Sequence, residues 1–316
     1  QQLAAASIKQ VYVGMTARGD KVLEKVRRPS IGKHLEEDLH VLGVVLDRLS
    51  EFTRLPAGLA ERIGRWLRDE ADFEQEVHNH QALDQVLQRY QSERTLSLLD
   101  VRVPQLGRHS TEHIREEVIH GLSLEELLMT AEDPTQLDRF LQEHAMGETE
   151  RAAYTQLLGS LDTVRRQVFD ALLYQNFQAG MFHSDPHAGN ILVTPTGEIV
   201  LIDVGSAGKI EPEKLTNAKQ FFLGFLFGDA NLLAAGLRAF VPDLRPEELE
   251  IVTSIVQSTA DNREKFNRIL VAISGEGRAI DEGFEKFLKG LATGAYLTRG
   301  IDPTQLAPSI MAYAQL

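Results

Sequence analysis

The sequence has no cysteine among its 316 residues. Disulfide bonds, thiolate zinc sites and cysteine nucleophiles are therefore excluded, and because nothing points to an oxidising compartment we expect an intracellular, cytoplasmic protein. Basic residues are also few, with 33 lysines and arginines against 46 aspartates and glutamates and a formal net charge of −13. This excess of negative charge repels nucleic acid, which we do not expect as a partner.

Long apolar runs are missing as well. The longest, FFLGFLFG at residues 221–228, is far shorter than the roughly 20 residues that a membrane-spanning helix needs. It fits either a buried helix or a patch that faces a membrane, and we favour the buried helix. The hydrophobic share of 43% is enough for the core of one large domain or two medium ones.

The order of predicted elements is a β-rich part followed by a helical part. IKQVYVGMT and KVLEKVRR read as strands of a hairpin, and Gly19 between them suits its turn. Helices are predicted from His34 onward and again to about Tyr90, followed by short extended segments and a capping box at Ser123. A helical region then runs from about residue 149 to Gly180, a second hairpin spans NILV to EIVLID, and helices fill the chain from about residue 212.

Three polar residues surround the second hairpin. Asp185 stands five residues before Asn190, and Asp203 follows the second strand. A hairpin would bring Asn190 and Asp203 together at its open end, where their oxygens suit Mg²⁺, and would leave Asp185 to orient a hydroxyl or a water. This arrangement is typical of phosphoryl transfer.

A cation for phosphates is predicted on the first hairpin. Lys25 lies in the second strand, and a buried lysine requires a buried carboxylate. Glu76 is the candidate because it shares a helix face with Phe73 and His80. Each residue alone has a plainer explanation as a solvated or turn-forming side chain, but the order Lys25, Glu76, Asp185, Asn190, Asp203 is that of a kinase-type site.

One alternative uses the same loop differently. His183, Asp185 and His187 alternate, and in an extended segment they could ligate a transition metal. Pro186 and Gly189 make the segment a loop, which weakens this interpretation. Otherwise His183 is expected to hold the loop backbone around Asp185, and His187 to pack in the loop.

Several motifs in order resemble the UbiB/AarF/ADCK family of atypical protein-kinase-like proteins. The resemblance covers about residues 1–210, through AAASIKQV, EKVRRP, EADFEQEVHN, FHSDPHAGNILV and LIDVGSAGKI. It implies an α+β, protein-kinase-like two-lobed fold, with a small β-rich N-lobe carrying extra helices at 1–121 and a mainly helical C-lobe at 122–316. It also implies binding of ATP or ADP with Mg²⁺ and a role in making or handling isoprenoid lipids, typically ubiquinone.

The resemblance also implies roles for individual residues. Lys25 would pair with Glu76, Asp185 would be the catalytic-loop aspartate, and Asn190 and Asp203 would hold the metal. Further nucleotide contacts would come from an alanine-rich phosphate loop and from a hinge that touches adenine; these residues are Ala4, Ala5, Ala6, Ser7, Glu117, Val118 and Ile119. A lipid or quinone precursor and a membrane surface would be the other partners.

The sequence also departs from the family pattern. Lys9 stands where a small residue is usual; it could reach a phosphate, but we predict that it is solvated. The upstream K-x-G-Q motif is absent and no room is left for a strand before the alanine-rich loop, so we expect a piece of a longer protein. A helical pattern begins only nine residues after Asp203, which leaves little platform for a peptide substrate.

Three functional classes stay open at this point. The first is an ATP-consuming enzyme that acts on or extracts a quinone precursor. The second is a small-molecule kinase of the aminoglycoside or choline type, against which the alanine-rich loop and KVRRP argue. The third is a nucleotide-binding scaffold without catalysis, against which the retained polar set argues.

Overall fold

The computed structural model describes residues 2–5, 9–28, 31–50, 59–93, 99–274 and 280–314. The strands are β1 (Gln2–Ala5), β2 (Lys9–Met15), β3 (Lys21–Arg27), β4 (Val101–Arg102), β5 (Leu106–Ser110), β6 (His113–Glu117), β7 (Leu122–Ser123), β8 (Met181–His183), β9 (Ile191–Val193), β10 (Ile199–Leu201) and β11 (Ala207–Lys209). The α-helices are α1 (Ile31–Ser50), α2 (Leu59–Ala71), α3 (Phe73–Glu93), α4 (Leu124–Glu132), α5 (Gln136–Glu143), α6 (Glu148–Leu158), α7 (Leu161–Tyr174), α8 (Leu215–Phe227), α9 (Ala230–Leu237), α10 (Pro246–Gln257), α11 (Asn262–Ile273), α12 (Glu282–Gly294) and α13 (Pro303–Tyr313).

The chain forms two compact units. The first takes in Gln1–Gln81 and Pro104–Val118, and the second takes in Ala82–Val103, Ile119–Ser274 and Ala279–Leu316. The sequence placed a single boundary at 121/122, so the two divisions differ mainly over residues 82–103. The physical reason is α3, an unbroken helix whose early residues belong to one core and whose later residues belong to another.

The first unit is built on a five-stranded antiparallel sheet with the order β1-β2-β3-β6-β5. The predicted hairpin is present as β2 and β3, and Gly19 in its turn has a φ of +91°, a region that glycine enters without a steric penalty. Phe73 and Val77 of α3 pack against Ile114 of β6 in the core of this unit.

One helical prediction in this unit needs correction. The sequence suggested a single helical region up to about Tyr90, whereas the structure has two helices, α2 and α3, separated at Asp72. The Asp72 carboxylate accepts the backbone N–H of Gln75 at 2.9 Å. This is the bond of an N-cap residue, and it starts a new helix where apolar periodicity alone indicated continuation.

The second unit contains a four-stranded sheet with the order β4-β10-β9-β7, the pair β8–β11 and most of the helices. The capping box at Ser123 opens α4 as predicted. The predicted helical region before Gly180 is divided near Gly159 into α6 and α7, and α7 continues as a π-helix over Gln175–Ala179. Gly180 ends it with a φ of +68°, as expected of a glycine C-cap.

The apolar run at 221–228 forms the second half of α8 and its C-cap residue, Gly228. Phe221, Phe222 and Phe225 are buried in the core of the second unit, in agreement with the buried-helix interpretation, while Phe227 is 74% exposed. Across the described ranges, no helix combines the length and apolarity needed to cross a bilayer.

Candidate functional site: a lysine–glutamate cluster and a catalytic-type loop

Four buried charged side chains meet in the first unit. The Lys25 ammonium donates to Glu76 Oε1 at 2.7 Å and to Glu116 Oε1 at 3.0 Å. Lys9 Nζ lies 3.5 Å from Glu76 Oε2. All four side chains are at most 11% exposed. We call this group the lysine–glutamate cluster; its two positive and two negative charges cancel.

Strand register explains why three members of the cluster share one face. Lys25 on β3 is opposite Val11 on β2 and Ile114 on β6. Opposed residues on antiparallel strands point to the same side of a sheet, and so do residues two apart on one strand. Lys9 therefore shares the face of Val11 and Lys25, and Glu116 shares the face of Ile114.

The fourth member reaches the cluster from the first turn of α3. The core of the first unit includes Phe73 and Val77, which lie three residues before Glu76 and one residue after it. The side of α3 that carries Glu76 is therefore buried. The predicted pair between Lys25 and Glu76 is thus present in the structure. Its role in binding a nucleotide stays a prediction.

Lys9 requires a correction. We expected its side chain in solvent, but the residue is only 9% exposed and pairs with Glu76. Lysine's usual exposure was the wrong guide, because strand alternation places Lys9 on the same face as Lys25. Glu116 was missed altogether. The available signal was its alternation with the buried Ile114 along IREEV, which places both on one side of a strand.

The predicted phosphate loop lies partly outside the described residues. Ala4 and Ala5 belong to β1, which pairs antiparallel with β2, rather than to a loop. The structure thus assigns the first two residues of the predicted loop to a strand that continues the sheet beyond β2. Ala6 and Ser7 fall outside the described residues, and a phosphate contact by any of these four residues stays a prediction.

The predicted adenine hinge is where the chain leaves the first unit. Glu117 is the last residue of β6, its N–H donates to Gln105 O at 2.9 Å, and its carboxylate accepts the Gln105 N–H at 3.0 Å. Val118 belongs to the first unit and Ile119 to the second. A role of these residues in binding adenine stays a prediction.

In the second unit, β9 and β10 form the predicted hairpin that carries the metal-ligand candidates. Ile191 pairs with Leu201, and the Ile202 N–H donates to Asn190 O at 2.9 Å. Asn190 is thereby opposite Ile202, and Asp203 is the next residue along the chain. The structure thus places both predicted ligands at the open end of one hairpin.

The residues present fit a hard cation. Asn190 Nδ2 donates to Asp185 O at 3.2 Å, which fixes the amide and leaves the carbonyl oxygen as its electron-pair donor. Asp203 is exposed and has a φ of +54°, a backbone conformation that is rare outside glycine and often associated with functional sites. A carboxylate and an amide oxygen are ligands that Mg²⁺ accepts.

His183 supports the loop. Its Nδ1 accepts the Asp185 N–H at 3.3 Å and its Nε2 lies 3.2 Å from Ile202 O, a pattern that requires a neutral ring with the proton on Nε2. Burial is the main reason that the pKa of His183 falls to about 4. The residue therefore has the loop-holding position expected of it.

The transition-metal alternative has no support in the described part of the chain, which contains no group of three or more His, Asp or Glu side chains able to hold a metal. His187 is exposed, whereas His183 is buried and occupied by the loop backbone.

A lysine far along the sequence also contacts the loop. Lys289 Nζ on α12 lies 3.1 Å from Asp185 Oδ2. Tyr296, which follows the same helix, donates its hydroxyl to Pro186 O at 3.2 Å. A Cβ at Gly290 would lie 3.4 Å from His183 O, so α12 runs directly along the loop backbone. Sequence reasoning missed Lys289, because no local pattern links it to a loop about a hundred residues earlier.

The first unit has a sheet with a buried strand lysine paired to a helix glutamate. The second unit carries an aspartate loop and an Asn/Asp hairpin. Together these features define a protein of the protein-kinase-like class. Residues 1–236 match the model of the ABC1 atypical kinase-like domain. The chain therefore belongs to the ABC1 atypical kinase-like family, in agreement with its resemblance to UbiB/AarF/ADCK proteins.

Individual relatives agree with this assignment. An aarF domain-containing protein kinase of Arabidopsis thaliana is 25% identical over 92% of this chain and 44% of the relative. The chloroplastic protein ACTIVITY OF BC1 COMPLEX KINASE 1 of the same plant is 26% identical over 67% of this chain and 28% of the relative. The ABC1 family protein lscO of Purpureocillium lilacinum is 28% identical over 64% of this chain and 33% of the relative. The chain thus spans less than half the length of these relatives.

A solved structure shares the fold. Rv3197 of Mycobacterium tuberculosis, determined in complex with erythromycin, aligns with a TM-score of 0.50 and 18% identity, over 97% of this chain and 77% of that one. At this identity the match shows the kinase-like fold alone.

Proposed function

We propose that this atypical kinase-like protein binds ATP or ADP together with Mg²⁺ and acts as a kinase or ATPase. The observation that carries the proposal is the buried contact of 2.7 Å between Lys25 and Glu76. Burying a lysine and a carboxylate is costly unless they are paired, and the pair is a poor source of stability compared with apolar side chains. Binding of anionic phosphates by Lys25 would explain why a charged pair occupies this buried position.

The residues of the second unit supply the other roles in this proposal. Asn190 and Asp203 would hold Mg²⁺, which neutralises charge on the phosphates when bound. Asp185 would orient the attacking hydroxyl or water through its carboxylate. In the transfer, the acceptor oxygen would form a bond to the γ-phosphorus and pass its proton to the Asp185 carboxylate, while the bond between the γ-phosphorus and the β,γ-bridging oxygen breaks and ADP leaves.

For the acceptor we propose a lipid or quinone precursor at a membrane surface, in support of isoprenoid-quinone biosynthesis or handling. This part rests on family resemblance. Unchanged ATPase activity in the presence of anionic liposomes or quinone-like phenols would count against it.

The deciding experiment measures thermal shift with ATP and ADP, with and without Mg²⁺, for the parent and for Asp203→Asn. We expect a Mg²⁺-dependent rise in the parent that Asp203→Asn strongly reduces. Asp138→Asn, a change at an exposed aspartate of α5, is the matched control and should behave like the parent. If Asp203→Asn binds Mg-nucleotide as the parent does, the metal assignment is wrong.

Turnover separates an enzyme from a scaffold. Asp185→Asn should keep Mg-nucleotide binding and lose phosphate release. A parent protein that binds nucleotide but releases no phosphate, with or without lipid, would favour the non-catalytic scaffold.

A further inference from the structure

The lysine–glutamate cluster differs from a simple lysine–glutamate pair. Lys25 contacts two buried carboxylates, Glu76 at 2.7 Å and Glu116 at 3.0 Å. These three residues alone would carry a net charge of −1 in a buried environment, where charges are weakly screened. A phosphate approaching Lys25 would therefore also approach these two carboxylates.

Lys9 removes this obstacle. Its ammonium lies 3.5 Å from Glu76, the same carboxylate that Lys25 contacts, and its side chain is 11% exposed. With Lys9 the cluster is neutral and carries two ammonium groups near one carboxylate. Lys9 is also the first residue of β2 and follows Ala6 and Ser7, residues of the predicted phosphate loop, within three positions of the chain.

We propose that Lys9 is a second phosphate-binding lysine, so that the nucleotide phosphates are held by Lys9 and Lys25 together. The inference rests on the proposed function and deepens it. When phosphates bind, Glu76 and Glu116 continue to compensate Lys25, while Lys9, the more distant partner of Glu76, contacts a phosphate oxygen. The ligand chemistry is that of a nucleoside di- or triphosphate rather than of a nucleoside.

The test compares ATP, ADP and adenosine binding by isothermal titration calorimetry, in the presence of Mg²⁺, for the parent and for Lys9→Met. We expect ATP and ADP affinities to fall at least about tenfold, the size of a lost hydrogen bond to a charged group, with adenosine affinity unchanged. Lys21→Met, at an exposed lysine of β3, should leave all three affinities at parent values.

A second variant distinguishes a lost phosphate contact from a folding defect. Lys9→Met alone removes one buried positive charge, whereas Lys9→Met combined with Glu116→Gln removes one charge of each sign and keeps the pair of Lys25 and Glu76. We expect the double variant to fold and still to bind ATP at least about fivefold more weakly than the parent, because the phosphate contact is missing.

The outcomes are distinguishable. Parent-level ATP affinity in the double variant would show that Lys9 only balances charge, and would overturn the proposal. So would an equal loss of ATP and adenosine affinity in Lys9→Met. A parent that binds no Mg-nucleotide at all would instead overturn the proposed function, before any variant is compared.

Discussion

Replacing Glu76 by glutamine tests the electrostatics of the lysine–glutamate cluster without any ligand. The substitution keeps the shape of the side chain and removes the charge that faces Lys25 at 2.7 Å and Lys9 at 3.5 Å. Glu116 is then the remaining carboxylate of the cluster, and the net charge of the cluster becomes more positive by one. Removing one partner of a buried ion pair costs about 3–5 kcal/mol, and we expect a loss in this range.

Two observables should report that loss. Urea denaturation followed by circular dichroism gives the global change, and hydrogen exchange of β2 and β3 gives the local one. A loss of about 4 kcal/mol in the free energy of opening corresponds to roughly a thousandfold larger population of the open state of this sheet. Glu36→Gln, which removes a fully exposed partner of Arg68 in the same unit, is the matched control and should change neither observable measurably.

A second substitution can compensate the change in charge. Adding Lys9→Met to Glu76→Gln restores a neutral cluster of Lys25 and Glu116, so stability should recover in part. If the second change instead adds to the first, or if Glu76→Gln behaves like Glu36→Gln, the cluster is not a coupled buried charge group and our account of it fails.

Two further predictions concern the second unit. Lys289 Nζ lies 3.1 Å from Asp185 Oδ2, and we expect this contact to position the carboxylate. Lys289→Met should therefore leave nucleotide affinity unchanged and reduce turnover by up to about 100-fold, the usual scale for a misplaced catalytic group, whereas Lys289→Arg should retain most of the turnover. Lys286→Met on the same helix loses an ion pair with Glu282 instead and should turn over like the parent. If Lys289→Met lowers nucleotide affinity without lowering turnover, Lys289 does not position Asp185. The pKa of His183 is lowered from 6.5 to about 4 in the folded protein, so the unfolded chain binds this proton at a higher pH than the folded one. The free energy of unfolding should therefore decline by about 3 kcal/mol as the pH falls from 6.5 to about 4. Urea midpoints at pH 7 and pH 4.5 should therefore differ more in the parent than in His183→Gln. Equal differences in the two proteins would refute the lowered pKa of His183.

Local patterns predicted the elements that position the candidate site. The hairpin of β2 and β3 followed from two β-rich runs and a glycine turn, and the hairpin of β9 and β10 from NILV and EIVLID around a second turn. Side-chain periodicity then placed Lys25 and Glu76 on buried faces. These signals suffice because strand register and helix face are set by residues close in sequence.

The remaining features depend on contacts between distant segments. Glu116 is 91 residues from Lys25 along the chain, and Lys289 is 104 residues from Asp185. No spacing rule links such positions, so the contact of Glu116 with Lys25 and the contact of Lys289 with Asp185 were not predictable from the sequence. Lys9 is different, because strand alternation along β2 places it on the face of Lys25, and this local signal outweighs the usual exposure of lysine.

The segment after Asp203 bears on the class of acceptor. Ala207–Lys209 form β11 and pair with β8, and a 3₁₀ turn begins at Pro212, so the nine residues beyond Asp203 lead directly into the helices. Conventional protein kinases hold a peptide on a longer segment at this position. A small hydroxyl-bearing molecule or water needs no such platform, because Asp185 alone can orient it. Among acceptors for the proposed transfer, we therefore expect proteins to be poor substrates and small or lipid molecules to be favoured.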